Sequence, residues 1–302
     1  MEKTKVIWLD VNMHQWEKDW LIELLTDLNP EFISTNTFED SRLSSIDNCI
    51  VVSNHAINYR VYLDLLRAKG RKYGVILLSD ENLCEAMEYL HDPHCKFVAR
   101  NYFQPLFHPH PKLFTFALGY KKGFKSPPES HKKFSDRENS WCFAGSLHDE
   151  ERKSATTLFQ EHIKKAPHKL HFCSGFNAED GLGTEEYKTM LETSRFALCP
   201  RGQVNNDSFR IYEALEAGAI PITLANAPHM KVQPSYWHAI FLGDSELPFV
   251  IAEDWKEALE KVKAIEDAGK GDLIQQECSQ FWARWKKNWR NEFTRRTQLL
   301  HT

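Results

Sequence analysis

The chain has 302 residues, 42% of them apolar and 26% charged, a soluble globular composition long enough for two cores. Lys+Arg number 38 against Asp+Glu 42, a formal charge of −4, so the basic surplus of a nucleic-acid-binding surface is absent. No apolar run reaches the length of a signal peptide or a membrane span, and the seven cysteines include no C-x-x-C pair. These features predict reduced core thiols, a cytoplasmic protein and at most peripheral membrane association.

The first half alternates apolar runs with amphipathic stretches. KVIWLD (Lys5 to Asp10) predicts a strand, and the spacing of Trp16, Trp20, Leu21, Leu24 and Leu28 predicts a helix over 14–28. CIVVS (Cys49 to Ser53) predicts a buried strand, and Asn58 to Gly70 a helix closed by its glycine. YGVILLS (Tyr73 to Ser79) and KFVAR (Lys96 to Arg100) predict two more strands, with a helix over 82–90 between them. Such alternation implies a mainly parallel sheet covered on both faces. Residues 121–140 are polar, contain Pro127-Pro128 and follow neither period, which predicts a domain boundary or long connector.

The second half restarts the pattern. Strands are predicted at WCFAGS (Trp141 to Ser146), KLHFCSG (Lys169 to Gly175), RFALCP (Arg195 to Pro200), AIPITL (Ala219 to Leu224) and AIFLG (Ala239 to Gly243). Helices are predicted over 149–166, over 184–193 with Thr184 as cap, and from Asp207 or Ser208 to Ala217. A helical tail follows over 254–268 and 273–300, where Trp282, Trp285 and Trp289 form a packing stripe. The expected architecture is α/β: two Rossmann-like domains with a cleft between them, an N-terminal one over 1–122 and a C-terminal one over 138–272. A tail over 273–302 is expected to pack back towards the first domain.

In such sheets ligands lie beyond the carboxyl ends of the strands. Three strand ends carry Gly145-Ser146, Ser174-Gly175 and Pro200-Arg201-Gly202, small residues that let a ligand approach the backbone. The third leads into a helix start, where free N–H groups and the dipole favour an anion. A cation there opposes the dipole, so Arg210 in the first turn asks for a reason. A diphosphate gripped by Arg201, Arg210 and the helix start supplies one. Glu213 lies three residues beyond Arg210; its carboxylate suits two vicinal hydroxyls of a ribose, or a plain ion pair with Arg210. Together with the Asp207-Ser208 cap, the set reads as a nucleotide-diphosphate site.

FALCPRGQVNNDSFRIYEALEAGAIPITL resembles the signature segment of exostosin-type glycosyltransferases, and WCFAGSLHDEERKSA resembles their Phe-x-Gly element followed by an arginine, here Arg152. Residues 100–124 resemble an interdomain segment of related transferases. The resemblance covers about the last two thirds of the chain. It implies a GT-B fold and an inverting, metal-independent transfer from a nucleotide sugar, UDP-sugars favoured, to a glycan or glycolipid. It further implies Arg201, Arg210 and Ser208 on the diphosphate and Glu213 on the ribose. Gly145, Ser146 and Arg152 would lie beside the phosphates, and the loop after Cys173 would meet the base. Fucosyltransferases, which use GDP-sugars, share a related helix–strand segment and supply the alternative donor.

No Asp-x-Asp occurs, and no His/Cys cluster has zinc-like spacing, so no metal or cofactor is expected. Arginines and helix N–H groups suffice for charge building on a departing diphosphate. An inverting enzyme also needs a base from a strand end of the first domain; Asp10, His14 and His55 are the candidates. A retaining transferase would place a second glutamate seven or eight residues before Glu213, where none stands. A catalytically silent nucleotide-sugar-binding subunit is the remaining alternative.

Overall fold

In the computed structural model the described residues are 3–9, 15–35, 41–44, 46–53, 58–82, 87–107, 110–163, 166–242, 244 and 246–302. The chain divides into two compact units, Met1–Leu118 with Trp285–Thr302, and Gly119–Arg284.

The first unit is built on a parallel sheet of β1 (Thr4–Leu9), β2 (Pro30–Thr35), β3 (Cys49–Ser53), β4 (Tyr73–Leu77), β5 (Cys95–Arg100) and β6 (Leu113–Thr115). The spatial order is β2-β1-β3-β4-β5-β6, so the winding direction reverses between β1 and β3. β3 and β4 are buried at every position, as interior strands of a doubly covered sheet must be. Helices α1 (Lys18–Leu25), α2 (Ser41–Ser44) and α3 (Asn58–Ala68) belong to this unit. Trp20 on α1 donates its indole N–H to Ala117 O at 2.9 Å.

Two strands here escaped the sequence reading. β2 is an edge strand and only partly buried, so its apolar alternation is faint. β6 is three residues long. The helix expected over 82–90 is reduced, among the described residues, to a 3-10 turn at Glu88–His91.

The second unit holds β7 (Asn139–Gly145), β8 (His168–Phe172), β9 (Ser194–Leu198), β10 (Ile220–Leu224) and β11 (Val250–Ala252), all parallel, in the order β11-β10-β9-β7-β8. Its winding reverses between β7 and β9. The helices are α4 (Glu150–His162), α5 (Thr184–Glu192), α6 (Phe209–Glu216), α7 (Tyr236–Ile240), α8 (Trp255–Asp267) and α9 (Gly271–Gln298), of which α9 continues into the first unit. Trp141 on β7 stacks on His168 at 4.9 Å and meets Phe159 of α4 edge-on, which faces Trp255 of α8 in turn.

One expected strand is a helix. Residues 236–240 form α7, capped by Ser235, and the fifth strand is Val250–Ala252 instead. A five-residue apolar run has no period to separate the two states. The cap of α5 is Gly183, whose N–H donates to Glu186, rather than Thr184.

Residues 121–140 belong to the second unit. Phe134 is buried there and meets Phe196 of β9 edge-on at 5.2 Å. Arg137 is buried and donates to Leu191 O and Ala217 O, at the ends of α5 and α6, and to Ser194 O at the start of β9. Burial lowers its pKa to about 10. Gly218, with φ +70°, lies so close to this arginine and His131 that a side chain would displace one of them.

The tryptophan stripe of α9 packs in both units. Trp282 donates to Glu216 at 2.6 Å and stacks on Tyr212 in the second. Trp289 meets Trp20 edge-on at 6.0 Å in the first.

Candidate functional site

The winding reverses between β7 and β9, and the carboxyl ends of the strands at such a reversal are the place where doubly wound sheets bind ligands. β7 ends on Gly145 and runs through Ser146 and His148 into α4. β9 runs through Cys199 to Asn206 into α6. The site is built from these loops and the first turns of both helices.

Arg210, in the first turn of α6, reaches back over β7. Its Nε donates to Ala144 O at 3.0 Å, and its guanidinium lies over the Phe143 ring at 5.6 Å. Gly145 has φ +148°, and a Cβ there would overlap Arg210 Nη2. The glycine thus holds the space that lets the arginine lie across the strand end. Among the described residues no acidic group pairs with Arg210.

Ser208 is the N-cap of α6, but its side chain makes no capping bond. Its Oγ is buried and has no hydrogen-bond partner. The first turn of α6 carries no acid either. Neighbouring starts differ: Asp149 caps α4, Ser235 caps α7 and Asp254 caps α8, each accepting from a backbone N–H. Asp207, beside the cap, accepts from Tyr236 Oη at 3.4 Å.

Arg201 departs from expectation. Its Nε donates to Glu151 at 3.0 Å, Nη2 pairs with Asp149 at 3.2 Å and Nη1 donates to Gln203 O at 3.0 Å. The start of α4 therefore claims two of the three guanidinium nitrogens, and the arginine's own loop the third. Arg201 ties the loop after β9 to α4 and is not a second unpaired cation beside Arg210. Glu151 has its pKa raised by burial, against the pull of Arg201.

Arg152 is buried and links the two loops. Nη1 donates to Ser146 O at 3.1 Å and Nη2 to Arg201 O at 2.8 Å. Burial, then the nearby Arg210, lowers its pKa to about 10. Gly202 N–H donates to Asn205 O at 2.8 Å, closing the β9–α6 loop on itself.

Glu213 and Arg210 form no ion pair. The carboxylate of Glu213 is buried and accepts from Lys121 N–H at 3.3 Å. Burial pushes its pKa up to about 7, against the pull of Lys121 and Arg210. Ser174 is engaged: both its N–H and its hydroxyl donate to Asp180 at 2.9 Å. A Cβ on Gly175 would meet open space, so no close backbone approach explains that glycine.

Several members of the site had no signal in the sequence reading. Lys121 lies in the stretch read as a connector; its N–H meets Glu213 and its Nζ lies over the Phe176 ring at 5.0 Å. Phe176 is 59% exposed and stacks on Phe209, the first residue of α6. His148 sits between Ser146 and Asp149, and the strand-end rule applied two residues further would have flagged it. Asp10, His14 and His55, the candidate bases, lie outside the described residues. In sequence they follow β1 and β3, the strands that flank the reversal of the first sheet.

Comparison with known proteins agrees with this architecture. The α-glucosyltransferase (AGT) in complex with UDP superposes with a TM-score of 0.57 at 12% identity, covering 100% of both chains, and this shows the fold. Exostosin-1 of Drosophila melanogaster is 41% identical over 73 residues, 24% of this chain and 7% of that protein. Ribitol-5-phosphate xylosyltransferase 1 of Danio rerio is 24% identical over 165 residues, 53% of this chain and 38% of that protein. The matches thus span well under half the length of these curated relatives. The RXYLT1 C-terminal domain family matches residues 120–300, which include the whole of the site above. By that match, the chain belongs to the RXYLT1 C-terminal domain family of exostosin-type glycosyltransferases.

Proposed function

We propose that the chain transfers a sugar from a nucleotide diphosphate sugar, UDP-sugar in preference to GDP-sugar, to a hydroxyl of a glycan or glycolipid, with inversion and without a metal. One observation carries the reading. At the reversal point of the second sheet, α6 begins without a side-chain cap, with a buried unpartnered hydroxyl and an arginine that no acid among the described residues neutralises. Free N–H groups, a hydroxyl and a guanidinium together form an anion site.

In this reading Arg210, Ser208 and the N–H groups of α6 receive the diphosphate, and their dipoles stabilise the charge that grows on it as the sugar leaves. Arg201 and Arg152 hold the two loops at the spacing this needs. Glu213 takes the ribose hydroxyls. The exposed Phe176 offers the base an aromatic face. The α-glucosyltransferase that shares the fold is complexed with UDP, which favours UDP as the nucleotide, and the name of the ribitol-5-phosphate xylosyltransferase favours sugar transfer to a hydroxyl acceptor.

A thermal-shift screen with UDP-, GDP- and CMP-sugars tests it. At a hundredfold excess over Kd the donor stabilises the protein by about 3 kcal/mol. No shift with any nucleotide sugar would remove the donor site. The anomeric configuration of the product, read by NMR, tests inversion.

A further inference from the structure

We propose that His148 is a further contact to the leaving diphosphate, and that its protonation is coupled to nucleotide binding: neutral without the nucleotide, protonated with it. The inference rests on the donor-site reading above and adds a residue to it.

The geometry fixes the tautomer. Nδ1 of His148 lies 2.9 Å from Ser146 Oγ and 3.3 Å from Arg152 Nη1. A guanidinium nitrogen only donates, so Nδ1 presents its lone pair and the neutral ring carries its proton on Nε2. Nε2 faces Asp149 Oδ2 at 3.6 Å, on a side chain 41% exposed. That carboxylate is already shared: Oδ2 pairs with Arg201 at 3.2 Å, and Oδ1 accepts from Arg152 N–H.

The charged groups around the ring come from each element that builds the site. Arg152 and Asp149 belong to α4, Arg201 to the loop after β9, and Arg210 to α6. Partial burial, then Arg152, lowers the pKa of His148; Asp149 opposes this, and Arg210 and Arg201 add to it. Arg152 and Arg210 thus outweigh one anion that Arg201 already shares.

A diphosphate at the start of α6 reverses this balance. It brings about two negative charges, and one opposite charge at close range changes a proton affinity by about tenfold to a thousandfold. The proton comes from solvent and enters at Nδ1, which then donates to Ser146 Oγ; Arg152 Nη1 gives up its bond to the ring and keeps the one to Ser146 O. Nε2–H then donates to a phosphate oxygen as a charge-assisted bond. No covalent bond changes. The anions that raise the proton affinity of the ring are those it then binds.

The sign follows from linkage. Nucleotide binding raises the pKa of His148, so binding takes up protons, and affinity falls as pH rises through the bound-state value.

The test is calorimetric titration of the full chain with UDP at pH 7, in HEPES and in Tris, for wild type and H148Q. The change of apparent enthalpy with buffer reports protons taken up. The ionisation of UDP itself is common to both proteins and cancels in their difference. Wild type is expected to take up more protons than H148Q, up to about one per nucleotide, and to lose about tenfold more affinity between pH 6 and 8. Equal uptake and parallel pH profiles would overturn the proposal and leave His148 a loop residue. If wild type fails to bind UDP or GDP at all, the donor-site reading falls first, and this inference with it. The ring is partly exposed, so H148Q retains the fold, checked by an unchanged Tm.

Discussion

Helices α4 and α6 start at the same reversal of the sheet, one after β7 and one after β9, yet their first turns are opposites. α4 is capped by Asp149 and carries Glu150 and Glu151 in its first turn. These acids offset the dipole and absorb Arg201. α6 has a serine that caps nothing, no acid, and Arg210 instead. By its own residues α4 is electrostatically complete, whereas α6 is left with positive groups converging on the reversal point. The difference teaches that one of two neighbouring arginines belongs to the scaffold and the other to the ligand.

The largest expected effect breaks the comparison if it fails. R210A removes the guanidinium at the start of α6, which has no acidic partner among the described residues, so UDP affinity drops by two to three orders of magnitude, about 3–4 kcal/mol. The fold loses one carbonyl contact and the contact with the Phe143 ring, and Tm changes little. Calorimetry on the variant measures the first and a thermal melt the second. Unchanged nucleotide affinity would make α6 as closed a helix start as α4.

Next comes pH. The Glu213 pKa, raised to about 7 by burial, means the folded state holds a proton that the unfolded chain releases near 4.5. A raised folded value contributes stability that is full below the unfolded pKa and lost as pH rises through the folded one. Wild type is therefore expected to lose up to about 3 kcal/mol between pH 4.5 and 7 relative to E213Q. Denaturant titrations of both proteins across that window measure it. Parallel curves would mean that water reaches the carboxylate.

The third effect is on the scaffold arginine. R201A leaves Asp149 and Glu151, both largely buried, without their cation, at a cost of about 2 kcal/mol in stability. Nucleotide affinity falls far less than in R210A. If the two variants lost equal affinity at equal Tm, Arg201 would be a ligand residue too.

This division between the arginines was not legible in the sequence. Both follow strand ends beside a helix start, and the strand-end rule placed both in the site. Which carboxylate reaches which guanidinium depends on the crossover that lays α4 beside the β9 loop, some fifty positions away in the chain. Local signals fared better. CIVVS matches β3 residue for residue, Ser208 of the two offered residues is the N-cap of α6, and the helix expected from Asp254 begins there. Each follows from a short-range rule of burial or capping. Elements without one were missed: β2 at a half-exposed edge, β6 for its length, and α7, whose short apolar run suits either state. Lys121 was missed for the opposite reason. Its segment is polar and aperiodic, and it earns its place through one backbone N–H aimed at Glu213.

The smallest effect gives the sharpest comparison. A serine N-cap replaced by alanine ordinarily costs about 1 kcal/mol, because its hydroxyl satisfies a helix N–H. Ser208 satisfies none, so S208A is expected to leave Tm within about 1 °C of wild type, near zero on the scale where 1 kcal/mol moves a domain of this size by about 2–4 °C. Its cost falls on the ligand instead: one neutral hydrogen bond, about 1 kcal/mol, or roughly fivefold in UDP affinity. D149A shows the reverse, losing cap and salt bridge in stability. A Ser208 variant that melts early with full nucleotide affinity would show a hydroxyl that serves the helix in solution, and α6 would then be capped like its neighbours.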